Sequence, residues 1–163
     1  MKYFFIGFMG SGKSYIAKIF SKKYNLNHID LDNYIEIKEK KTILEIFNQY
    51  GENYFRTLEK KYLEMIMSKK KDLAISTGGG TPMHHNLMDL MNNVGETIYL
   101  QCNHNTLFKR LKNQRDNRPL IKNLSDTELI QFIQHNLEIR EQKYLQSKRQ
   151  IKNDLEDNIL EIL

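Results

Sequence analysis

A group of residues that can bind phosphate lies near the start of the chain. In order, the residues are Gly7-Phe8-Met9-Gly10-Ser11-Gly12-Lys13-Ser14. They match the pattern G-x-x-x-x-G-K-[ST], in which glycines let successive backbone N–H groups point at anionic oxygens. Lys13 can reach the outer phosphates of a nucleotide, and the Ser14 hydroxyl can ligate Mg²⁺. The alternative is a plain connecting turn, but a lysine in a first helical turn is unfavourable unless an anion binds.

Two carboxylates, Asp30 and Asp32, are the next candidates for chemistry. Both lie at the end of a short predicted strand, and an acid at a strand end beside a phosphate loop can hold Mg²⁺ directly or through water. We assign that role to Asp30. Asp32 can then orient or deprotonate a hydroxyl that attacks the γ-phosphate. The alternative is that both acids only cap the following helix.

Three glycines and two arginines complete the candidate residues, and each has a structural alternative. The run Gly78-Gly79-Gly80 suggests close approach of the backbone to a ligand, or else a flexible turn. Spacing alone favours an intrahelical ion pair for Arg56, because Glu52 and Glu59 lie one turn away on either side. For Arg140 it favours a solvated helix face.

Alternating strands and helices must position these residues. Strands are predicted at 3–6, 27–32, 72–76 and 96–100, with a weak last strand near Ile151. Capping-box patterns at Thr42 and Ser125 predict helix starts, and further helices are predicted from His84 to Met91 and at 155–163. The order predicts an α/β fold of three α/β/α layers, with a central, mainly parallel five-stranded sheet in a single domain over residues 1–163. Ligands bind beyond the carboxyl ends of parallel strands, so the candidate residues are expected around one crevice.

Composition narrows the class of protein. The 163 residues carry a net charge of +5, but 25 basic residues are mixed with 20 acidic ones and form no long basic block. No apolar run approaches the ~18 residues of a membrane span. Cys102 is the single cysteine, so a disulfide within the chain is excluded, and neither His84 with His85 nor Cys102 with His104 has fuller metal-ligand spacing. We expect a cytoplasmic protein.

Six motifs occur in the order and spacing found in shikimate kinases, and together they cover about residues 2–147. They are residues 7–14, Asp30-Leu31-Asp32, Phe55-Arg56-Thr57-Leu58-Glu59, Gly78-Gly79-Gly80, Arg118-Pro119-Leu120, and Arg140 with Tyr144. The chain thus resembles the shikimate kinases, small P-loop kinases related to the nucleoside-monophosphate kinases. The resemblance implies transfer of the γ-phosphate of ATP to the 3-hydroxyl of shikimate, on the route to chorismate and aromatic amino acids, with Mg²⁺ as cofactor.

The same resemblance implies a role for each matching residue. The catalytic residues would be Lys13, Asp32 and Arg118. The nucleotide would be bound by Gly10, Ser11, Gly12, Lys13, Ser14, Tyr15, Arg110 and Arg118. Shikimate would be bound by Asp32, Arg56, Glu59, Gly78, Gly79, Gly80 and Arg140. The Mg²⁺ would be held by Ser14 and Asp30.

In that arrangement Arg56 and Arg140 would clamp the shikimate carboxylate, which reverses the interpretation from spacing alone. Substrate-binding helices would lie at about 32–60, and Arg118 would sit on a mobile lid at about 113–124. The expected partners are ATP, ADP and shikimate, without nucleic acid or membrane, and the chain is expected to be a monomer.

The chain departs from the family pattern at two places. Tyr15 stands where the family commonly has threonine, and residues 146–153 are more polar than the family's last strand and lack its proline-containing adenine loop. No residue near the C-terminus is therefore assigned to the adenine. Two other functions stay open: a P-loop kinase for gluconate or a nucleotide, and a non-enzymatic nucleotide-binding module. The second is disfavoured because Asp32 with Arg56 would form an acceptor site that an ATP sensor does not need.

Overall fold

Five parallel strands form the centre of the molecule in the computed structural model, which describes residues 1–115 and 118–154. They are β1 (Lys2–Ile6), β2 (Asn27–Asp30), β3 (Leu73–Ser76), β4 (Glu96–Gln101) and β5 (Arg149–Lys152). Their order in the sheet is β2-β3-β1-β4-β5, and every neighbouring pair is parallel. The predicted five-stranded sheet is confirmed, including the weak last strand at Ile151.

Within the described residues, six α-helices connect the strands. They are α1 (Lys13–Lys23), α2 (Leu31–Glu39), α3 (Ile43–Met67), α4 (Leu87–Val94), α5 (His104–Lys112) and α6 (Asp126–Tyr144). Both predicted capping boxes are present, one before α3 at Thr42 and one before α6 at Ser125. Gly51 interrupts α3 with non-helical backbone at φ 80° and ψ 175°, and the part of α3 after it carries Arg56 and Glu59 against the glycine loop after β3.

The sheet separates two hydrophobic cores, because successive side chains of a strand point to opposite faces. Phe5 of β1 packs with Ile16 and Phe20 of α1. Phe4 and Ile6 pack into the larger core on the other face, to which α2, α3, α4, α5 and α6 all contribute. This is the predicted three-layer α/β/α arrangement.

The prediction of a helix from His84 to Met91 is wrong at its start. Residues Thr81–Met83 form a short 3-10 turn, and His85 and Asn86 adopt left-handed backbone with φ of 52° and 55°. The chain needs these turns to leave the glycine loop before α4 can begin at Leu87. The helix predicted at 155–163 lies outside the described residues. None of the helices in the described ranges has the length and apolar character that crossing a membrane requires.

Candidate active site

The carboxyl ends of β1, β2 and β3 open into a cavity of about 770 Å³. Every predicted site residue except Ser11 lines it; Ser11 is fully buried. The sequence thus predicted which residues would meet. What each of them can do depends on its hydrogen bonds and burial.

Residues 7–12 form the loop between β1 and α1. Gly12 precedes the first turn of α1 with φ 88° and ψ 14°, a left-handed conformation that a side chain would strain. The helix therefore begins at Lys13 with no side-chain cap for its first N–H groups. Free N–H groups at the positive end of a helix form a phosphate site.

Lys13 lies buried beneath this loop and donates from Nζ to the carbonyl oxygen of Phe8 at 2.8 Å. Burial, with the nearby charge of Arg118, lowers the pKa of its ammonium from 10.5 to about 8 against the opposing charges of Asp32 and Asp30. Two cations close together on one side of a cavity favour the binding of a polyanion.

Asp30 joins Ser14 to the end of β3. Its Oδ2 accepts hydrogen bonds from Ser14 Oγ at 2.5 Å and from Ser76 Oγ at 2.8 Å. Its Oδ1 accepts from the backbone N–H of Asn33, which caps α2. The capping alternative is thus partly correct, yet the same carboxylate also faces the cavity beside the Ser14 hydroxyl.

These two oxygens fit the ligand preference of Mg²⁺. No group of three acidic, histidine or cysteine side chains that could hold a metal occurs within residues 1–115 and 118–154. Mg²⁺ typically takes only one or two protein oxygens and completes its shell with water and substrate phosphates. Ser14 and Asp30 are therefore a suitable donor pair for Mg²⁺ carried by a nucleotide, and they are not a stand-alone metal site.

Asp32 is the most strongly perturbed acid of the site. Burial first, and then the negative charges of Glu59 and Asp30, raise the pKa of its carboxyl from 3.8 to about 7 against the opposing charge of Lys13. Its Oδ1 is buried and has no hydrogen-bond partner in the described part of the chain. An acid that lines a cavity and has a pKa near neutrality is equipped to accept a proton from a substrate hydroxyl.

Arg56 makes the intrahelical ion pairs that its spacing predicted. Its Nη1 donates to Glu59 at 2.5 Å and its Nη2 to Glu52 at 2.9 Å. The same guanidinium also reaches the cavity, where a side chain at Gly80 would come within 2.6 Å of it. The ion pairs and a ligand role are therefore compatible, because the carboxylates orient a guanidinium that still faces the cavity.

Arg140 approaches the cavity from α6. Its guanidinium lies over the Phe8 ring, 5.7 Å from the centroid, and would be 3.6 Å from a side chain at Gly79. One turn later, the Tyr144 hydroxyl donates to the Gly79 carbonyl oxygen at 2.5 Å. Helix α6 thus holds the glycine loop, and the interpretation of Arg140 as part of a solvated face is wrong.

The predicted lid carries Arg118 into the cavity. Its Nε and Nη2 both donate to Oε1 of Gln114, at 3.3 and 2.8 Å. Burial lowers the pKa of its guanidinium. At the base of the lid, Asp126 pairs with Lys112 at 2.5 Å and with Arg115 at 2.7 Å.

The opposite end of the cavity contains Arg110, Tyr15 and Asn153. Arg110 Nη2 donates to the Asn153 carbonyl oxygen at 3.0 Å, and Tyr15 is mostly exposed at the rim. Buried Asn153 donates from Nδ2 to the carbonyl oxygen of Ser11 at 2.7 Å, so the chain after β5 supports the phosphate loop.

Four residues of this arrangement were not predicted from the sequence. They are Ser76, Thr81, Gln114 and Asn153. Thr81 follows the three glycines directly and Ser76 ends a predicted strand, so their positions in the sequence could have indicated that both lie near the site. Gln114 is one turn from Arg118 in a loop, and Asn153 lies 142 residues from Ser11; neither contact has a local pattern.

Fold, phosphate loop and paired acids together define a small-molecule kinase of the P-loop class. Comparison with known proteins narrows the class. The family model described as shikimate kinase matches residues 9–163. A shikimate kinase of Azobacteroides pseudotrichonymphae genomovar. CFP2 is 42% identical, with 96% of each chain covered. The chain belongs to the shikimate kinase family.

Solved structures agree with this assignment. The crystal structure of shikimate kinase from Bacteroides thetaiotaomicron is similar with a TM-score of 0.92 and 36% identity, covering 99% of this chain and 92% of that one. Shikimate kinase from Acinetobacter baumannii, solved in complex with shikimate, is similar with a TM-score of 0.84 and 26% identity, covering 94% of this chain and 84% of that one.

Proposed function

We propose that this protein transfers the γ-phosphate of ATP to the 3-hydroxyl of shikimate, giving shikimate 3-phosphate and ADP. The observation that carries the proposal is the position of Asp32. Asp32, whose Oδ1 is buried and has no hydrogen-bond partner among the described residues, lines the same cavity as Lys13, Arg118, Arg56 and Arg140. A cavity with phosphate-binding cations, a proton acceptor and carboxylate-binding cations matches both substrates.

The residues divide into two groups by charge and position. Residues 10–15, with Arg110 and Arg118, would bind the nucleotide, because they surround the free N–H groups at the start of α1. Arg56 and Arg140 would grip the shikimate carboxylate, since the planar guanidinium matches a carboxylate in two parallel hydrogen bonds. Gly78, Gly79 and Gly80 have no side chains, which leaves room for the ring of the acceptor beside their loop.

Transfer would be direct, because phosphoryl transfer depends on positioning and charge stabilisation rather than on a protein nucleophile. Asp32 would hold the 3-hydroxyl and take its proton. Lys13 and Arg118 would stabilise negative charge on the phosphoryl group. Ser14 and Asp30 would hold Mg²⁺, which when bound neutralises phosphate charge. The lid at about 113–124 would exclude water, which otherwise accepts the phosphate.

An acceptor panel tests the proposal. The purified protein is incubated with ATP, Mg²⁺ and, in separate reactions, shikimate, gluconate or a nucleoside monophosphate, and ³¹P NMR identifies the products. We expect a phosphate monoester and ADP only with shikimate. Turnover of gluconate or a nucleotide without turnover of shikimate would overturn the proposal. Gel filtration with light scattering tests the further proposal of a monomer. The cytoplasmic location and the absence of nucleic-acid binding stay predictions from sequence.

A further inference from the structure

Thr81 is a fully buried polar residue at the start of the 3-10 turn that follows the three glycines. Its Oγ1 donates a hydrogen bond to Oε1 of Glu59 at 2.5 Å. The other oxygen of that carboxylate, Oε2, accepts from Nη1 of Arg56 at 2.5 Å. A chain of two short hydrogen bonds therefore runs from the threonine hydroxyl to the guanidinium at the cavity wall.

The Glu59 carboxylate depends on these donors because it is buried, with a side chain that is 1% exposed. A buried carboxylate is costly unless its oxygens accept hydrogen bonds. Arg56 satisfies one oxygen and Thr81 satisfies the other. A valine would fill nearly the same volume as Thr81, so the contribution of this position is its hydroxyl rather than its shape.

Close packing restricts all three side chains. A Cβ at Gly78 would lie 3.1 Å from both Glu59 Oε1 and Thr81 Oγ1, and a Cβ at Gly80 would lie 2.6 Å from Arg56 Nη2. The loop itself is held in place, because the Thr81 N–H donates to the Gly78 carbonyl oxygen at 3.2 Å. A carboxylate that lost its Thr81 donor would have to rotate to find another, and its partner guanidinium would move with it.

We propose that Thr81 is a positioning residue for the acceptor: acting through Glu59, it sets the orientation in which Arg56 meets the acceptor's carboxylate. The inference rests on the proposed function, since it needs a carboxylate-bearing acceptor. It goes beyond that function because it assigns specificity for the carboxylate to a residue that does not itself line the cavity.

The test compares Thr81→Val, which keeps the volume and removes the hydroxyl, with Thr81→Ser, which keeps the hydroxyl. Thr97→Val is the matched control, because Thr97 is also fully buried and its hydroxyl donates to Asn92 at 2.5 Å, away from the cavity. Steady-state kinetics with shikimate and with the carboxamide of shikimate are measured for each protein, together with KM for ATP. Thermal unfolding checks that each variant is folded.

With shikimate, we expect Thr81→Val to lose on the order of tenfold to a hundredfold in kcat/KM, mainly through KM, as for a lost hydrogen bond to a charged group. KM for ATP should stay unchanged, and Thr81→Ser and Thr97→Val should behave like the wild type. With the carboxamide, kcat/KM of the wild type and of Thr81→Val should agree within about twofold, because this substrate has no carboxylate for Arg56 to bind.

Three results would overturn the inference. One is a Thr81→Val protein with normal kcat/KM for shikimate. The second is an equal loss with shikimate and the carboxamide, which would indicate a merely structural role. The third is failure of Thr81→Ser to restore activity. If the wild type turns over shikimate in each of these cases, the proposed function stands and only the role of Thr81 is wrong. A wild type inactive toward shikimate would overturn both.

Discussion

Replacing Asp32 with asparagine should stabilise the fold at pH 8 and abolish most turnover. Asparagine is neutral and nearly the same shape, so the change removes the charge and leaves the packing. The pKa of Asp32 is raised from 3.8 to about 7, chiefly by burial and then by Glu59 and Asp30. At about 1.4 kcal/mol for each pKa unit, the ionised carboxylate costs the folded state up to about 4 kcal/mol.

The sign of the pH dependence follows from the two pKa values. Above pH 7 the carboxyl is ionised in both the folded and the unfolded wild type, so the full cost is present. Between pH 7 and about pH 4, the folded state takes up a proton that the unfolded state does not, and the cost disappears. The attraction between Asp32 and Lys13 is already contained in the Asp32 pKa of about 7. We therefore expect about 2 to 4 kcal/mol of added stability at pH 8, falling toward zero near pH 4.

Urea unfolding of wild type and Asp32→Asn at pH 8, 6.5 and 5 measures this difference. Asp89→Asn is a suitable control, because Asp89 is exposed on α4 and surface changes rarely exceed about 0.5 kcal/mol. The kinetic half of the prediction is a fall in kcat by about 10² to 10⁴. The reasoning is refuted if Asp32→Asn is no more stable than wild type at pH 8, if its gain is the same at every pH, or if its turnover stays near normal.

Three further substitutions test the acceptor-binding and the nucleotide-binding residues of the site separately. Gly80→Ala displaces Arg56, whose Nη2 lies 2.6 Å from the new Cβ, so kcat/KM for shikimate should fall by about a hundredfold; an unchanged KM for shikimate would contradict this. Arg118→Ala should lower kcat by about 10² to 10³ with little change in KM for shikimate, as measured by steady-state kinetics. Asn153→Ala removes the support of the Ser11 carbonyl oxygen, so KM for ATP should rise by about five- to tenfold, and a change confined to shikimate would refute this role.

The elements that sequence predicted well are those encoded by neighbouring residues. The phosphate loop and the two capping boxes at Thr42 and Ser125 each depend on residues within one or two turns, and all three formed as expected. The predicted start of α4 was wrong because the path of the chain out of the glycine loop is set by packing against α3 and α6. Sequence spacing found the ion pairs of Arg56 but could not show that the paired guanidinium faces a cavity.

The contact that supports the phosphate loop illustrates a different limit of prediction from sequence. Asn153 and Ser11 are brought together because β5 lies beside β4, and β4 lies beside β1. A contact that depends on the sheet order has no counterpart in local spacing. Among the polar residues 146–153, Asn153 is buried and uses its polarity to hold the loop.

Burial shifts Lys13 and Asp32 in opposite directions, each toward its neutral form. Burial moves the pKa of Lys13 down to about 8 and that of Asp32 up to about 7, so each group is held closer to neutrality than it would be in water. A nucleotide beside Lys13 brings negative charge that favours the ammonium form, because an opposite charge nearby stabilises the charged form of a group. At pH 7 a lysine with a pKa of about 8 is already mostly an ammonium, so this effect becomes large only above about pH 8. We therefore expect ATP binding to extend the charged form of Lys13 to higher pH, so that the affinity for ATP falls less steeply above pH 8 than the pKa of the free protein alone would give.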